Sequence, residues 1–243
     1  MAVKIFILGR PGSGKSTAIR HIKTYLEKKY SGWSVIPFND YEILQEMFRR
    51  EKLFPTNRPK FRETEHGGFD VVDFSVLDTA LKELEKQVRG RCSTKDELIF
   101  IEFARDDYSK ALEQFSHTFL QDAHFLFLDT DVRTCIQRVH ERVANPTTPD
   151  DHFVSDEILR SYYTKQSIPH SISKRRVKII HNKGSFHDFT EQIYRFLSGI
   201  LLDEPSASAN RGFHRHLAQR NTSFFSVIRK GTSSSVLVGT SKR

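Results

Sequence analysis

Eight consecutive residues, Gly9-Arg10-Pro11-Gly12-Ser13-Gly14-Lys15-Ser16, fit the pattern G-x-x-x-x-G-K-S/T and follow the apolar run Val3 to Leu8 directly. Such a loop holds phosphates. Its glycines let backbone N–H groups turn toward the β-phosphate, and the N-terminus of the following helix adds partial positive charge. Lys15 is then placed to reach the β- and γ-phosphates and Ser16 to bind Mg²⁺, with Thr17 continuing the nucleotide-binding stretch. A glycine-rich turn can match four fixed positions by chance, but here strand, loop and helix come in the required order.

Further charged residues fall where a phosphate reaction would need them. Asp40 ends a second apolar run, where its carboxylate can accept the proton of an attacking hydroxyl, a contribution of about 10² to 10⁴ in rate. Asn39 or Asp40 would equally well cap the next helix, and Glu42 is the reserve base. Glu102 interrupts the apolar run "LIFIEF", and a carboxylate there needs a Mg²⁺ shell or a cationic partner. Arg105, three residues on, suits a substrate or phosphate contact, or a structural Glu-Arg pair. Arg138 and Arg142 stand four apart on one helix face, as a lid closing over a transferring phosphoryl group requires, although a merely solvated face has the same spacing.

The elements that must hold these groups read as strands alternating with helices. Short apolar runs give strands at Val3 to Leu8, Trp33 to Phe38, Leu98 to Phe103, His124 to Leu128 and Val177 to His181. Helical spacing covers Lys15 to Tyr30, Tyr41 to about Glu51, Val76 to Val88, Tyr108 to Leu120, Val132 to Val143, Glu157 to Gln166 and about Asp188 to Leu201. Lys52 to Gly68, with its prolines and paired glycines, reads as a substrate-side loop without regular structure, and Asn145 to Asp151 as a second loop. The alternation predicts an α/β three-layer sandwich: a five-stranded parallel sheet, helices on both faces and ligands at the carboxyl ends of the strands.

Charge divides the chain in two. It carries 38 Lys and Arg against 30 Asp and Glu, a net of +8, yet residues 205–243 hold seven basic residues and no acidic one. Taking those seven away leaves 31 basic and 30 acidic residues in 1–204, so the body has no surplus with which to line a nucleic-acid surface. We therefore expect a domain over 1–204 and a basic, serine-rich tail over 205–243, disordered or loosely docked, the one part open to nucleic acid. The two cysteines, Cys92 and Cys135, stand in no metal or redox spacing, which fits a reducing cytoplasm. No run approaches the ~20 apolar residues of a membrane span.

In the order of these pieces, residues 3 to about 202 resemble the P-loop kinases of the nucleoside and nucleotide kinase group. The resemblance implies ATP as donor, with Mg²⁺, and a small-molecule acceptor. It makes Asp40 the base and assigns Glu102 to Mg²⁺, while Arg105 sits two positions beyond the substrate arginine of the family's Glu-Arg-Ser motif. It also makes Arg138 and Arg142 the lid pair, and puts the loop Asn182-Lys183-Gly184-Ser185 near the adenine. Two other readings stay open: a switch or assembly NTPase that hydrolyses nucleotide, and a polynucleotide 5′-kinase using the tail. "FLDTD" is not the GTPase D-x-x-G, and Ser185 replaces the Asp of N-K-x-D, which weighs against a switch. Oligomeric state is left open by the sequence.

Overall fold

The computed structural model describes residues 2–29, 32–91, 96–146, 152–164 and 176–203. A division of the chain into two units falls between Ile193 and Tyr194, inside its last described helix. Cys92, most of the loop at 145–151 and the whole tail lie outside the described residues.

In chain order the elements are β1 (Val3–Leu8), α1 (Lys15–Lys29), β2 (Ser34–Asn39), α2 (Asp40–Leu53), β3 (Phe61–Glu63), β4 (Phe69–Val71), α3 (Ser75–Gly90), β5 (Glu97–Phe103), α4 (Tyr108–Leu112), α5 (His117–Leu120), β6 (His124–Asp129), α6 (Val132–Ala144), α7 (Asp156–Ser161), β7 (Val177–His181) and α8 (Phe186–Asp203). Five strands form one sheet in the order β2-β5-β1-β6-β7, every pairing parallel. This is the predicted sheet, with helices on both faces.

Side-chain alternation along each strand separates the two faces. Phe6, Ile101, Phe103, Phe125 and Phe127 join the cluster that also holds buried residues of α2 and α3. Ile5, Ile7, Leu98, Phe100 and Leu126, which alternate with them, are equally inaccessible and point to the opposite layer, where Ile22 and Leu26 of α1 are buried. Apolar runs without alternation are thus what a sheet covered on both sides needs.

Three expectations are corrected. The stretch 52–68 is irregular only in part: α2 runs on to Leu53, and after residues 54–60 β3 pairs with β4 in an antiparallel hairpin in which Phe61 opposes Val71 and Glu63 opposes Phe69. Buried Phe61 and Phe69 pin it against Phe48 of α2, so three-residue strands persist where propensity alone predicts none. The helix predicted over 108–120 is two short helices. Ser116 leaves the helical conformation and gives its N–H to Glu85 of α3 at 2.7 Å, which interrupts the ladder. The helix predicted at 157–166 ends earlier, at Ser161, within α7.

Register then gathers the site. Ile7 of β1 and Asn39 of β2 both pair with Glu102 of β5, so the phosphate loop, the start of α2 and the end of β5 meet at one sheet edge. On the other side, Asp129 pairs with His181, bringing Asn182 level with the end of β6.

Candidate functional site

The phosphate loop leaves β1 at Gly9 and closes into α1, with the Ala18 N–H reaching the Gly14 carbonyl at 2.9 Å. Gly9, Gly12 and Gly14 all adopt positive φ, the region that disfavours side chains. Gly12 is doubly constrained, because a Cβ there would stand 2.5 Å from the carbonyl oxygen of Cys135 in α6.

A cavity of about 620 Å³ opens beside this loop at the carboxyl ends of the strands. Pro11, Gly12, Gly14, Lys15, Ser16 and Thr17 line it, together with Asp40, Glu102, Arg105, Arg138, Arg142 and Asn182. The predicted residues, scattered from 11 to 182 in sequence, are brought together. Gly9, Arg10 and Ser13 support the loop from behind rather than line the cavity.

Lys15 is buried and donates to the carbonyl oxygens of Gly9 and Arg10 at 2.9 and 3.0 Å, with Glu102 at 3.9 Å. Burial holds its ammonium pKa below the ordinary lysine value, Glu102 works against that shift, and Arg142 adds to it. The Ser16 hydroxyl donates to both carboxylate oxygens of Glu102, at 3.1 and 3.2 Å. One hydroxyl and one carboxylate therefore share a point beside the lysine, a hard-oxygen donor set of the kind Mg²⁺ takes.

Asp40 is freed from helix capping by its neighbour: the Asn39 side chain accepts the Glu42 N–H at 3.0 Å. Asp40 is the first residue of α2 and 6% exposed, while Glu42 is exposed and off the cavity. The partner of Arg105 is Asp40, at 2.7 Å, and not Glu102. The guanidinium also donates to the carbonyls of Ala104 and Leu77, the latter at 2.9 Å, tying α3 to the site. Burial, the largest single influence, would lower the arginine pKa, but Asp40 together with Tyr163 and Tyr162 outweighs it and the net direction is upward. Behind the pair, the Tyr108 hydroxyl accepts the Gly9 N–H at 2.8 Å, and burial pushes its pKa up.

Arg10 is spent on the scaffold. Its guanidinium donates to the carbonyls of Tyr163, Thr130 and Thr164 at 2.7, 2.8 and 3.0 Å, clasping the loop to the segment after α7. Asn182 likewise donates to the Ser13 carbonyl at 2.9 Å while still facing the cavity. Arg138 and Arg142 share a face of α6, whose first turn is capped by Asp131. Arg142 donates to the His152 carbonyl at 2.7 Å, bridging toward the start of α7.

Aromatic residues of the hairpin and α7 complete the wall, and sequence reasoning did not single them out. Phe69, Phe74 and Tyr162 line the cavity with Tyr41. Phe69 and Phe74 fall between the stretch read as a loop and the next predicted helix, and Tyr41 and Tyr162 lie in or beside predicted helices, so nothing local in the sequence marks a shared face.

A profile of the AAA domain family matches residues 8–154. Among solved structures, the chain is similar to Kti12 of Chaetomium thermophilum in complex with ADP-AlF3, at 12% identity and a TM-score of 0.53, over 81% of this chain and 98% of that one. It is also similar to a gluconokinase from Sinorhizobium meliloti 1021, at 14% identity and a TM-score of 0.46, over 82% and 93% of the two chains. The APS kinase CysC of Mycobacterium tuberculosis, in complex with AMPPNP and APS, is similar at 15% identity and a TM-score of 0.48, over 81% and 97%. No protein among the curated sequences matches. At such identities the likeness to Kti12 is one of fold. Among the described residues no helix is long and apolar enough to cross a membrane.

Proposed function

This chain belongs to the AAA domain family and has the P-loop fold of the nucleotide kinase-like group, and we propose that it transfers the γ-phosphoryl group of ATP to a small-molecule acceptor. The observation that carries this reading is the meeting of Lys15, the Ser16–Glu102 pair and the Asp40–Arg105 pair at one cavity.

In this reading the loop's N–H groups and Lys15 bind the phosphates, Ser16 and Glu102 hold Mg²⁺, and Asn182 lies on the nucleotide side. The metal supplies charge neutralisation at the transferring group. Asp40 takes the proton of the acceptor hydroxyl as its oxygen bonds to the γ-phosphorus, the bond to the β-phosphate oxygen breaks, and ADP leaves. Arg105 holds the Asp40 carboxylate in place as a buried ion pair. Arg138 and Arg142 offer positive charge to the developing transition state.

Purified protein supplied with Mg-ATP and a metabolite pool is expected to form ADP in an acceptor-dependent way, and Asp40→Asn to slow it by about 10² to 10⁴. If no acceptor raises ADP formation above its rate in water alone, transfer is the wrong reaction. Hydrolysis is the second reading. The observation favouring it is that the Asp40 carboxylate is already bound by Arg105. ADP formation raised by a protein or nucleic acid but by no small alcohol would establish it. We place the domain boundary at residue 204, and deletion of 205–243 should leave transfer unchanged.

A further inference from the structure

The cavity has two ends of different chemistry. At the phosphate end the cations are concentrated: Lys15 is buried there, Arg142 acts electrostatically on it, and Arg138 on the neighbouring Cys135. The far wall is built by the hairpin, the start of α3 and α7, and it is apolar and aromatic, with Phe69, Phe74, Leu77, Ile158 and Tyr162 facing the space. Phe74 and Tyr162 stack with centroids 4.4 Å apart and planes within 9°, and Phe74 is still 40% exposed. Tyr41 stacks on His152 at 3.6 Å and lies parallel to Phe69 at 5.7 Å.

Charges in this far half are already balanced. Arg105 is committed to Asp40 and to the Leu77 carbonyl, with 5% of its side chain exposed. Asp70, 3% exposed, is met by Arg62 at 3.1 Å and by the Ser155 N–H at 3.3 Å. Arg62 does not line the cavity and also pairs with Glu157. Among the described residues, then, the far wall offers no uncommitted cation but two carboxylates, Asp40 and Asp70. A carboxylate or phosphate on the acceptor would be desolvated there beside carboxylates whose cations are already taken, with none left to pair with it, a large penalty. A flat ring, by contrast, would extend existing stacks.

Resting on the phosphotransferase reading above, we propose that the acceptor is an uncharged alcohol carrying a planar aromatic ring, bound with its ring against the Phe74–Tyr162 stack and its hydroxyl toward Asp40. Sugar acids and phosphorylated acceptors are disfavoured because every cation of the wall is committed, and ring-free sugars lack the stacking that holds a ring.

The test pairs probes that differ in one feature. Uridine, adenosine and pyridoxine are the ring alcohols; ribose is their ring-free counterpart, and gluconate and uridine 5′-monophosphate the anionic ones. Binding is read by calorimetry with the non-hydrolysable analogue AMP-PNP and Mg²⁺ present, and turnover separately as ADP formed from Mg-ATP. At least one ring alcohol is expected to bind ten times or more tighter than ribose, gluconate or uridine 5′-monophosphate. Phe74→Leu should weaken that binding about tenfold, the order that loss of one stacked ring brings. Tyr162→Leu, at the other ring of the pair, should do the same, and neither should weaken AMP-PNP. Tight binding of a ring alcohol without turnover supports the ring site and removes the kinase reading. Turnover of gluconate or uridine 5′-monophosphate with equal or higher kcat/KM keeps the kinase and overturns the inference. Ring alcohols that bind no better than ribose, or binding indifferent to both variants, overturn it as well.

Discussion

Removing the Arg105 guanidinium while keeping its bulk, by Arg105→Met, strands Asp40 in a site where the two side chains are 5% and 9% exposed. Charges centred about 4 Å apart at an effective dielectric near 20 attract by about 4 kcal/mol. An orphaned partner of a buried pair costs ~3 to 5 kcal/mol, a large part of the 5 to 15 kcal/mol that holds an ordinary domain folded. Asp40→Asn costs less, because the guanidinium keeps the carbonyls of Ala104 and Leu77. The double variant Asp40→Asn/Arg105→Met removes both charges, so its loss should fall short of the sum of the singles by at least ~1.5 kcal/mol. Urea unfolding of the four proteins measures this, reading midpoints at constant slope. Losses that add to within about 0.5 kcal/mol would show that the two residues do not act as a pair. Arg105→Lys should recover little, since one ammonium cannot serve Asp40 and two carbonyls in the fork geometry.

Glu85 closes α3 against α5, accepting from the Ser116 N–H and hydroxyl at 2.7 and 2.6 Å and from Arg89 at 2.6 Å. Burial would raise its pKa, but those hydrogen bonds outweigh it and hold the carboxyl below its usual value, so its stabilisation is complete above pH ~4.5 and fades as pH falls through the lowered pKa. Glu85→Gln should therefore cost about 1 to 2 kcal/mol at pH 7, with the gap to the parent protein closing in acid; a gap constant down to pH 3 would contradict this. Burial, opposed by Lys15, Arg10 and Arg138, pushes the Cys135 thiol up to about 11. Thiolate at pH 8 is then on the order of one part in 10³, and mass spectrometry after iodoacetamide should find Cys135 unmodified until urea is added. Gly12→Ala places a methyl 2.5 Å from the Cys135 carbonyl in a residue at φ +79°, and should lose at least ~2 kcal/mol of stability with weakened ATP-analogue binding.

Most of the scaffold could be read ahead of the structure because a strand covered on both faces leaves an unmistakable trace, an apolar run such as "KIFIL" or "LIFIEF" bounded by polar or glycine residues. The phosphate loop was legible for the same reason, its chemistry being local. The β3–β4 hairpin was not, since three-residue strands carry no periodicity and depend on Phe48 packing against Phe61 and Phe69. Nor was the break at Ser116 foreseeable, because the carboxylate that draws its N–H away lies 31 residues earlier in α3. Within the site, one partner differs from the one the sequence suggests. Arg105 looked toward Glu102 in sequence, and only the register of β2 on β5 brings it against Asp40, 65 positions away. Arg10, inside the phosphate motif, reads as a ligand contact; three carbonyls at the edge of α7 and α6 take its donors instead.

The central claim, that the cavity joins ATP to a hydroxyl and not to water, is tested most directly by following ATP labelled in its γ-phosphate. Incubated with Mg²⁺ and a ring-bearing alcohol that binds, the protein should place the label on the alcohol, with Asp40→Asn slowing that product by about 10² or more. Label recovered only as inorganic phosphate, at a rate indifferent to the alcohol and to Asp40→Asn, would contradict the account.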